Sequence, residues 1–183
     1  MKRIFAAVKI EPQPELTAFL GKLRMYLADS DIKWVELKNL HLTLKFFGET
    51  SDDKIPLIAE VMKKVTCTPF VLVLGNLKIF GSRYQPRVLF LEAMNAEPFV
   101  DLRNQVDEQI KLLGYEPDRQ NFVPHLTIGR IKKISDKKYF QQNISNFSDK
   151  TLQFQQVSAF YLIESTLHSS GPEYNVLASF ALE

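Results

Sequence analysis

The apolar positions of the chain change period along its length, and each change predicts an element. Residues 2–10 are almost continuously apolar and predict a strand. Residues 14–28 carry apolar side chains every three to four positions, which predicts a helix. Extended runs at 33–37 and 41–48 predict two further strands. A second helical stripe over 51–65 begins at a run of Ser and Asp that is typical of a helix start.

The rest of the chain continues this mixture of strands and helices. The predicted elements are strands at 70–80 and 87–93, a helix at 97–113 that ends at Gly114, a strand at 125–131, a short helix at 135–143, and closing strands at 151–164 and 173–182. Loops are predicted at 81–86, through Pro117 and Pro124, and at 169–172. Strands and helices do not alternate strictly, which predicts an α+β fold with largely antiparallel sheets. The unit of strand, helix and strand occurs twice, which predicts two similar lobes within one bilobal domain of residues 1–183.

Composition and charge narrow the class of protein only slightly. The chain has 183 residues, of which 45% are hydrophobic and 24% charged, as in ordinary globular proteins. A net charge of +2 does not indicate a strong nucleic-acid binder, and the lysine pairs at 63–64, 132–133 and 137–138 are of a kind that usually forms a solvated face. One cysteine, Cys67, excludes an intrachain disulfide and a cysteine-based zinc site. No apolar run has the length of a membrane span, so we expect a cytoplasmic protein that does not bind a membrane. We also expect a monomer.

Two of the three histidines stand in nearly identical tetrapeptides, HLTL at 41–44 and HLTI at 125–128. Each tetrapeptide opens a predicted strand, where successive side chains point to opposite faces. His41 and Thr43 therefore share one face, and His125 and Thr127 share the corresponding face of the second strand. A single histidine at a strand end is more often a packing or capping residue, but the repeated context favours function. His168 lacks this context and is predicted to lie on the surface.

Two imidazoles and two hydroxyls in one groove would suit phosphodiester cleavage. A neutral imidazole can accept a proton from a nucleophile, and an imidazolium can donate a proton to a leaving oxygen, because histidine titrates near neutral pH. Hydroxyls of Thr43 and Thr127 can donate hydrogen bonds to non-bridging phosphoryl oxygens. The sequence has no His-Glu-x-x-His motif and no carboxylate cluster near either histidine, so this chemistry requires no metal or cofactor.

Arg130 and Phe47 are candidate substrate-binding residues beside the motifs. Strict alternation would place Arg130 opposite His125, but Gly129 permits a β-bulge that would turn the guanidinium into the groove, where it could bind phosphate. A surface ion pair is the alternative for this side chain. Phe47 has the parity of His41 and is expected to line the groove, where it could stack on a base, whereas Phe46 is expected in the core.

The paired motifs, together with residues 86–90 and 171–174, resemble those of the two-histidine (2H) phosphoesterase superfamily. Within it, the chain resembles the RNA 2′,3′-cyclic phosphodiesterases once named 2′-5′ RNA ligases. The resemblance implies a bilobal, pseudo-symmetric α+β fold, in which two antiparallel sheets flank a central groove and the helices lie outside. It also implies metal-independent hydrolysis of a 2′,3′-cyclic phosphate at an RNA or nucleotide end to a 2′-phosphate, with Thr43, Thr127 and Arg130 at the phosphate. We expect His41 to be the proton donor and His125 the proton acceptor.

Three alternatives to this function stay open. Reversible 2′-5′ RNA ligation or cleavage of 2′-5′ linkages would use the same groove and the same acid–base pair. A module that binds RNA ends without turnover would not need two proton-transfer groups, so the paired histidines disfavour it. A small nucleotide or cyclic ADP-ribose phosphate could also be the substrate.

Overall fold

The computed structural model describes residues 1–82, 85–116, 122–169 and 171–183. Its elements are, in chain order, β1 (Lys2–Lys9), α1 (Pro14–Tyr26), β2 (Asp31–Trp34), a 3₁₀ turn (Leu37–Asn39), β3 (His41–Thr50), α2 (Lys54–Met62), β4 (Phe70–Gly81), β5 (Pro86–Ala93), α3 (Glu97–Lys111), β6 (His125–Lys133), α4 (Lys137–Asn146), β7 (Thr151–Val157), β8 (Ala159–His168) and β9 (Gly171–Ala181). The predicted α+β class is confirmed. Residues 83–84, 117–121 and 170 of the predicted loops lie outside the described residues.

Two predicted strands differ from those of the structure. The run at 33–37 ends as a strand at Trp34 and then gives way to the 3₁₀ turn. The run at 151–164 is two strands that belong to different sheets, because Val157 pairs with Phe70 and Ala159 pairs with Ala181. Apolar patterning could not reveal this crossing, since both strands are partly buried on either side of it.

The strands form two antiparallel sheets. The first has the order β3-β1-β8-β9, and the second has the order β2-β6-β5-β4-β7. In the first sheet β3 pairs with β1, and α1 lies between these two strands in sequence. In the second sheet β6 pairs with β5, and α3 lies between them. The predicted repeat is therefore present, with one histidine strand in each sheet.

Neither sheet is built from a continuous stretch of chain. The short strand β2 comes from the first half of the sequence but lies at the edge of the second sheet, where Trp34 is opposite Gly129 of β6. Strands β8 and β9 come last in the sequence and complete the first sheet. The two sheets thus exchange segments, and each depends on chain that lies far from it in sequence.

One continuous hydrophobic cluster contains residues of both sheets and of the helices. The predicted helical stripes are buried, including Leu16 and Leu23 of α1 and Phe99 and Val106 of α3. The apolar positions of the two motifs are also buried, at no more than 1% exposure each: Leu42, Leu44, Leu126 and Ile128. Burial of an aliphatic side chain of this size contributes about 2 kcal/mol, so these positions fix the face of each histidine strand. None of the described helices is both long enough and apolar enough to cross a bilayer.

Gly129 is expected to be intolerant of a side chain, because β2 packs directly on it. A Cβ atom there would lie 2.9 Å from Cγ2 of Ile32 and 3.2 Å from Cε3 of Trp34. Gly129→Ala should therefore lower the free energy of unfolding by about 1–3 kcal/mol, measured by urea denaturation.

Gly21 of α1 provides the matched control for this substitution. A Cβ atom at Gly21 would meet nothing within 4 Å, so Gly21→Ala should raise the free energy of unfolding by about 1 kcal/mol. Equal stability of the two alanine variants would contradict the packing described here.

Candidate active site

A β-bulge at the last residue of the first motif determines which side chains of β3 share a face. His41 is opposite Lys9 of β1, Thr43 is opposite Ala7, and Lys45 is opposite Ala6, so Leu44 is an extra residue in the ladder. An extra residue reverses the alternation of the positions that follow it. His41, Thr43 and the residue three positions further on therefore face the same way.

The second motif has a bulge at the equivalent place. Thr127 of β6 is opposite Phe90 of β5, and Arg130 is opposite Val88, so Ile128 is the extra residue. Phe90 and Val88 lie on one face of β5, and Arg130 consequently shares the face of Thr127 and His125. The expected bulge beside Gly129 is thus confirmed, and the Arg130 side chain is exposed on the histidine face.

The same geometry corrects the prediction for the two phenylalanines of β3. Phe46, which we expected in the core, is 59% exposed and lies opposite Phe5 on the face of His41. Phe47, which we expected in the groove, packs on the core and makes an edge contact with Tyr115 at 5.2 Å between ring centroids. The reason is the bulge at Leu44, which inverts the parity that strict alternation predicts.

Both imidazoles are held by the same kind of hydrogen bond. Nδ1 of His41 lies 2.7 Å from the carbonyl oxygen of Asn39, and Nδ1 of His125 lies 2.7 Å from the carbonyl oxygen of Val123. A carbonyl oxygen can only accept, so Nδ1 carries the proton in each ring and donates it. In each neutral imidazole, Nε2 is therefore the basic nitrogen, and in each imidazolium Nε2 carries the transferable proton.

Aromatic rings surround each histidine on its own sheet. The His41 ring lies 4.9 Å from the ring of Phe5 and 5.3 Å from that of Tyr174, between centroids. The His125 ring lies 4.7 Å from that of Phe80 and 5.4 Å from that of Phe90. These rings restrict both imidazoles and remove water from around them.

Strands β3 and β6 lie next to each other, and the pKa of His41 is affected by charges on β6 across the groove between them. Burial lowers the pKa of His41, the hydrogen bond to Asn39 opposes this, and the charges of His125 and Arg130 lower it further. Burial also lowers the pKa of His125, the bond from its ring to the Val123 carbonyl opposes this, and the charge of Arg130 lowers it further. Strands β3 and β6, from different sheets, approach to within 8 Å between Cα atoms. Both imidazoles are consequently biased towards the neutral form.

The two motif threonines occupy equivalent positions beside the histidines. Thr43 and Thr127 are both half-buried on the histidine face, opposite Ala7 and Phe90 respectively. Neither hydroxyl makes a hydrogen bond to another residue within the described part of the chain. Each can therefore donate to a ligand oxygen in the groove.

A buried charged cluster lies behind the first motif. Lys45 is 3% exposed; its Nζ donates to the carbonyl oxygen of Glu116 at 2.7 Å and lies 3.6 Å from the carboxylate of Asp107. Arg103, one turn before Asp107 on α3, lies 3.7 Å from the same carboxylate. Because Asp107 faces two buried cations, its removal would leave both without this counter-charge.

Arg103 links the two histidine motifs through this cluster. Its Nε donates to the carbonyl oxygen of Leu44, the bulged residue of the first motif, at 3.3 Å. Its guanidinium carbon also lies 3.9 Å from the centroid of the Phe122 ring, three positions before His125. Helix α3 thus ties the bulge after His41 to the segment that leads into His125.

Several of these residues were not predicted as parts of the site. The rings of Phe5, Tyr174 and Phe80 reach the histidines through strand pairings that local sequence does not specify. The bulge at Leu44, which brings Phe46 to the groove, also has no local signal, because Leu44 fits the apolar alternation. The repeat gave the one sequence signal that Phe46 shares the histidine face, because Phe46 and Arg130 are both three positions after the motif threonine.

Comparison with known proteins assigns the chain to a family. The model of the 2′-5′ RNA ligase superfamily matches residues 12–165, so the chain belongs to this superfamily, the two-histidine phosphoesterases that the paired motifs resemble. Within it, the chain is 32% identical over 177 residues to RNA 2′,3′-cyclic phosphodiesterase of Methanocaldococcus jannaschii, covering 96% of this chain and 98% of the relative. It is also 32% identical over 157 residues to RNA 2′,3′-cyclic phosphodiesterase of Methanothermobacter thermautotrophicus, covering 85% of each. A crystal structure of a Thermus thermophilus protein superposes with a TM-score of 0.78 at 27% identity, covering 98% of this chain and 97% of that one.

The lowered histidine pKa values should be visible by NMR. In the free protein, the imidazole resonances of His41 and His125 should titrate below the ordinary pKa of about 6.5. Inorganic phosphate should raise both pKa values, because an anion in the groove stabilises the imidazolium forms.

Arg130→Gln tests the origin of these shifts. Removal of the guanidinium charge should raise the pKa of both histidines in the free protein, because Arg130 lowers both. Unchanged titration curves in this variant would show that Arg130 does not face the groove.

Proposed function

We propose that the chain hydrolyses 2′,3′-cyclic phosphates at RNA or nucleotide ends to 2′-phosphomonoesters, without a metal ion. The observation that carries this proposal is the equivalent anchoring of two imidazoles, each with Nδ1 bound to a carbonyl and both within the electrostatic range of Arg130. Relatives that share 32% identity over most of the chain are named RNA 2′,3′-cyclic phosphodiesterases, which supports the same substrate class.

In the proposed reaction, His125 is the base and His41 is the acid. Nε2 of neutral His125 accepts a proton from water as the water oxygen attacks phosphorus. The bond from phosphorus to the 3′ oxygen breaks, and Nε2–H of the His41 imidazolium protonates that oxygen. One water is consumed, and the products are a 2′-phosphomonoester and a 3′-hydroxyl.

Three further side chains are proposed to bind the phosphate. Arg130 would bind the non-bridging oxygens with its planar guanidinium, and the hydroxyls of Thr43 and Thr127 would donate hydrogen bonds to them as negative charge develops. The bound anion would also raise the pKa of His41, so that the acid is protonated in the complex. Phe46, rather than Phe47, would be the ring available to stack on the base, since it is exposed on the histidine face.

Reversible 2′-5′ RNA ligation is a second candidate function, favoured by the description of the matching family. It would use the same acid and base, with a 5′-terminal RNA hydroxyl in place of water. Incubation of the protein with a cyclic-phosphate-ended oligonucleotide, with and without a hydroxyl-ended acceptor, separates the two reactions. We further propose that the protein acts as a cytoplasmic monomer, because one chain supplies both histidines and a single cysteine suits a reducing compartment.

Removal of either imidazole should abolish most of the activity. His41→Ala and His125→Ala should each lower kcat on a 2′,3′-cyclic nucleotide by about 10² to 10⁴, since each proton transfer contributes about this factor. Phosphorus NMR of the wild-type reaction should show a 2′-phosphomonoester, and the rate should be the same in EDTA.

His168→Ala is the matched control, because His168 is exposed and pairs only with Glu173 among the described residues. Its kcat should equal that of the wild type. Full activity of either motif variant, a 3′-phosphomonoester product or loss of the rate in EDTA would each contradict the mechanism.

The pH dependence should follow from the lowered pKa values. Hydrolysis needs one imidazole neutral and the other protonated, so kcat/KM should be bell-shaped, falling at low pH as the base protonates and at high pH as the acid deprotonates. Because both pKa values lie below the ordinary value in the free protein, the kcat/KM optimum should lie below about pH 6.5. The kcat optimum should lie at higher pH, since the bound phosphate raises both pKa values. A kcat/KM that rises steadily above pH 7 would contradict this assignment.

A further inference from the structure

A cleft of about 550 Å³ opens next to the groove, between β5, β6 and the start of α4. Arg130 lies in its wall, together with four further cations that we call the cleft cations: Arg87, Lys132, Lys133 and Lys137. The other described lining residues are uncharged: Gln85, Pro86, Val88, Ile131 and Ile134. Among the described residues, no carboxylate lines the cleft.

The cations of this cleft form no ion pairs among the described residues. Arg130 and all four cleft cations are exposed, and none of them forms an ion pair with another described residue. Other lysines do form such pairs, including Lys2 with Glu164 and Lys78 with Glu92. Five cations that form no ion pair within the described residues surround one concave surface and attract an anion, although the whole chain has a net charge of only +2.

The cleft is continuous with the groove that holds the histidines. Arg130 belongs to both, because it lines the cleft and lowers the pKa of His41 and His125. Beyond the bulge at Ile128, alternation along β6 places Lys132 on the same face as Arg130, about 6.6 Å further along the strand. A row of polar and cationic side chains therefore leads from His125 through Arg130 to Lys132.

We propose that this cleft binds the phosphodiester backbone of RNA on the 5′ side of the cyclic phosphate, so that oligonucleotides are better substrates than mononucleotides. The inference rests on the proposed function. A 2′,3′-cyclic phosphate stands at a 3′ end, so every other phosphate of the strand lies on one side of it. With the terminal phosphate at Arg130, the preceding phosphates lie along the cleft cations. No aromatic ring is among the described lining residues, so the contacts are to phosphate and carry little base preference.

Kinetics on two substrates test the proposal. The wild type should have a higher kcat/KM on a hexanucleotide with a 2′,3′-cyclic phosphate end than on the cyclic mononucleotide. The cleft variant, Arg87→Gln/Lys132→Gln/Lys137→Gln, should lose about tenfold in kcat/KM on the hexanucleotide, because it removes three phosphate contacts. Its kcat/KM on the mononucleotide should stay that of the wild type, since these side chains lie outside the acid–base site.

A second triple variant controls for net charge. Lys22, Lys111 and Lys138 are exposed, lie outside the cleft and form no ion pair within the described residues. Lys138 is the direct neighbour of Lys137 on α4, so the two variants compare adjacent positions inside and outside the cleft. The control variant, Lys22→Gln/Lys111→Gln/Lys138→Gln, should keep the wild-type preference for the hexanucleotide.

Binding measurements test the cleft independently of turnover. Fluorescence anisotropy with a hexanucleotide that ends in a 2′-phosphate gives the dissociation constant at several salt concentrations. The slope of log affinity against log salt should be smaller in the cleft variant by about two, because each phosphate contact to a single strand contributes about 0.7. The control variant should keep the wild-type slope.

The outcomes separate the cleft from the proposed function. A protein that hydrolyses neither substrate but shows the predicted change in salt dependence overturns the proposed function and retains the cleft as an RNA site. Equal kcat/KM on the two substrates, equal behaviour of the two triple variants, or an equal loss on both substrates in the cleft variant overturns the cleft proposal. Tighter binding of a polyglutamate peptide than of the hexanucleotide would assign the cleft to an acidic protein and overturn the cleft proposal as well.

If the cleft variant unfolds at a lower temperature than the wild type, Lys137→Gln against Lys138→Gln repeats the comparison with single surface substitutions.

Discussion

The extra residue that follows each motif threonine is the constraint on which the groove depends. Without the bulges at Leu44 and Ile128, strict alternation would send Arg130 towards the core and leave the histidine face without its guanidinium. With them, each strand buries its apolar residues and still presents three side chains on one face. The third side chain is the aromatic ring of Phe46 in the first strand and the guanidinium of Arg130 in the second. Two similar halves therefore form a groove that is aromatic on one side and cationic on the other.

A second consequence of this arrangement concerns the protonation state of the two histidines. Both rings are fixed through Nδ1, both are partly desolvated by aromatic neighbours, and both feel Arg130, so the free groove favours two neutral imidazoles. In the proposed mechanism, an acid and a base are then distinguished only when an anionic substrate binds and changes the local field. Helix α3 supports this geometry from behind, because Arg103 contacts both the bulge at Leu44 and the ring of Phe122. The site is therefore a property of both sheets and one helix.

Local sequence was sufficient for the elements that repeat and for the side chains that the repeat places on one face. Periodicity located the helices, and the duplicated tetrapeptides located both histidines and threonines on their faces. Local sequence was insufficient where the structure depends on pairing between strands that are remote in the chain. The predicted positions of Phe46 and Phe47 were wrong because Leu44 fits the pattern of an ordinary core residue. In the second strand, by contrast, Gly129 gave a reason to expect a bulge. The break at Ser158 was missed because the strands on either side belong to different sheets, which only the tertiary structure determines. The lysine pairs at 132–133 and 137–138 were interpreted as a solvated face for a similar reason, since the strand pairing that brings Arg87 beside Arg130 is not visible in local sequence.

The exchange of strands between the sheets has a consequence for how the molecule folds and how it could have diversified. Because β2 closes the edge of the second sheet while β8 and β9 complete the first, most pairings join segments that are far apart in the chain, and such topologies fold slowly relative to helical proteins of the same length. A fragment that ends between the two motifs would lack β8, one of the two partners of β1, and β6, the partner of β2, so the halves are not separable modules despite their likeness. A changed ring or cation in a loop or on a groove wall can therefore alter what is bound without disturbing the interlocked sheets.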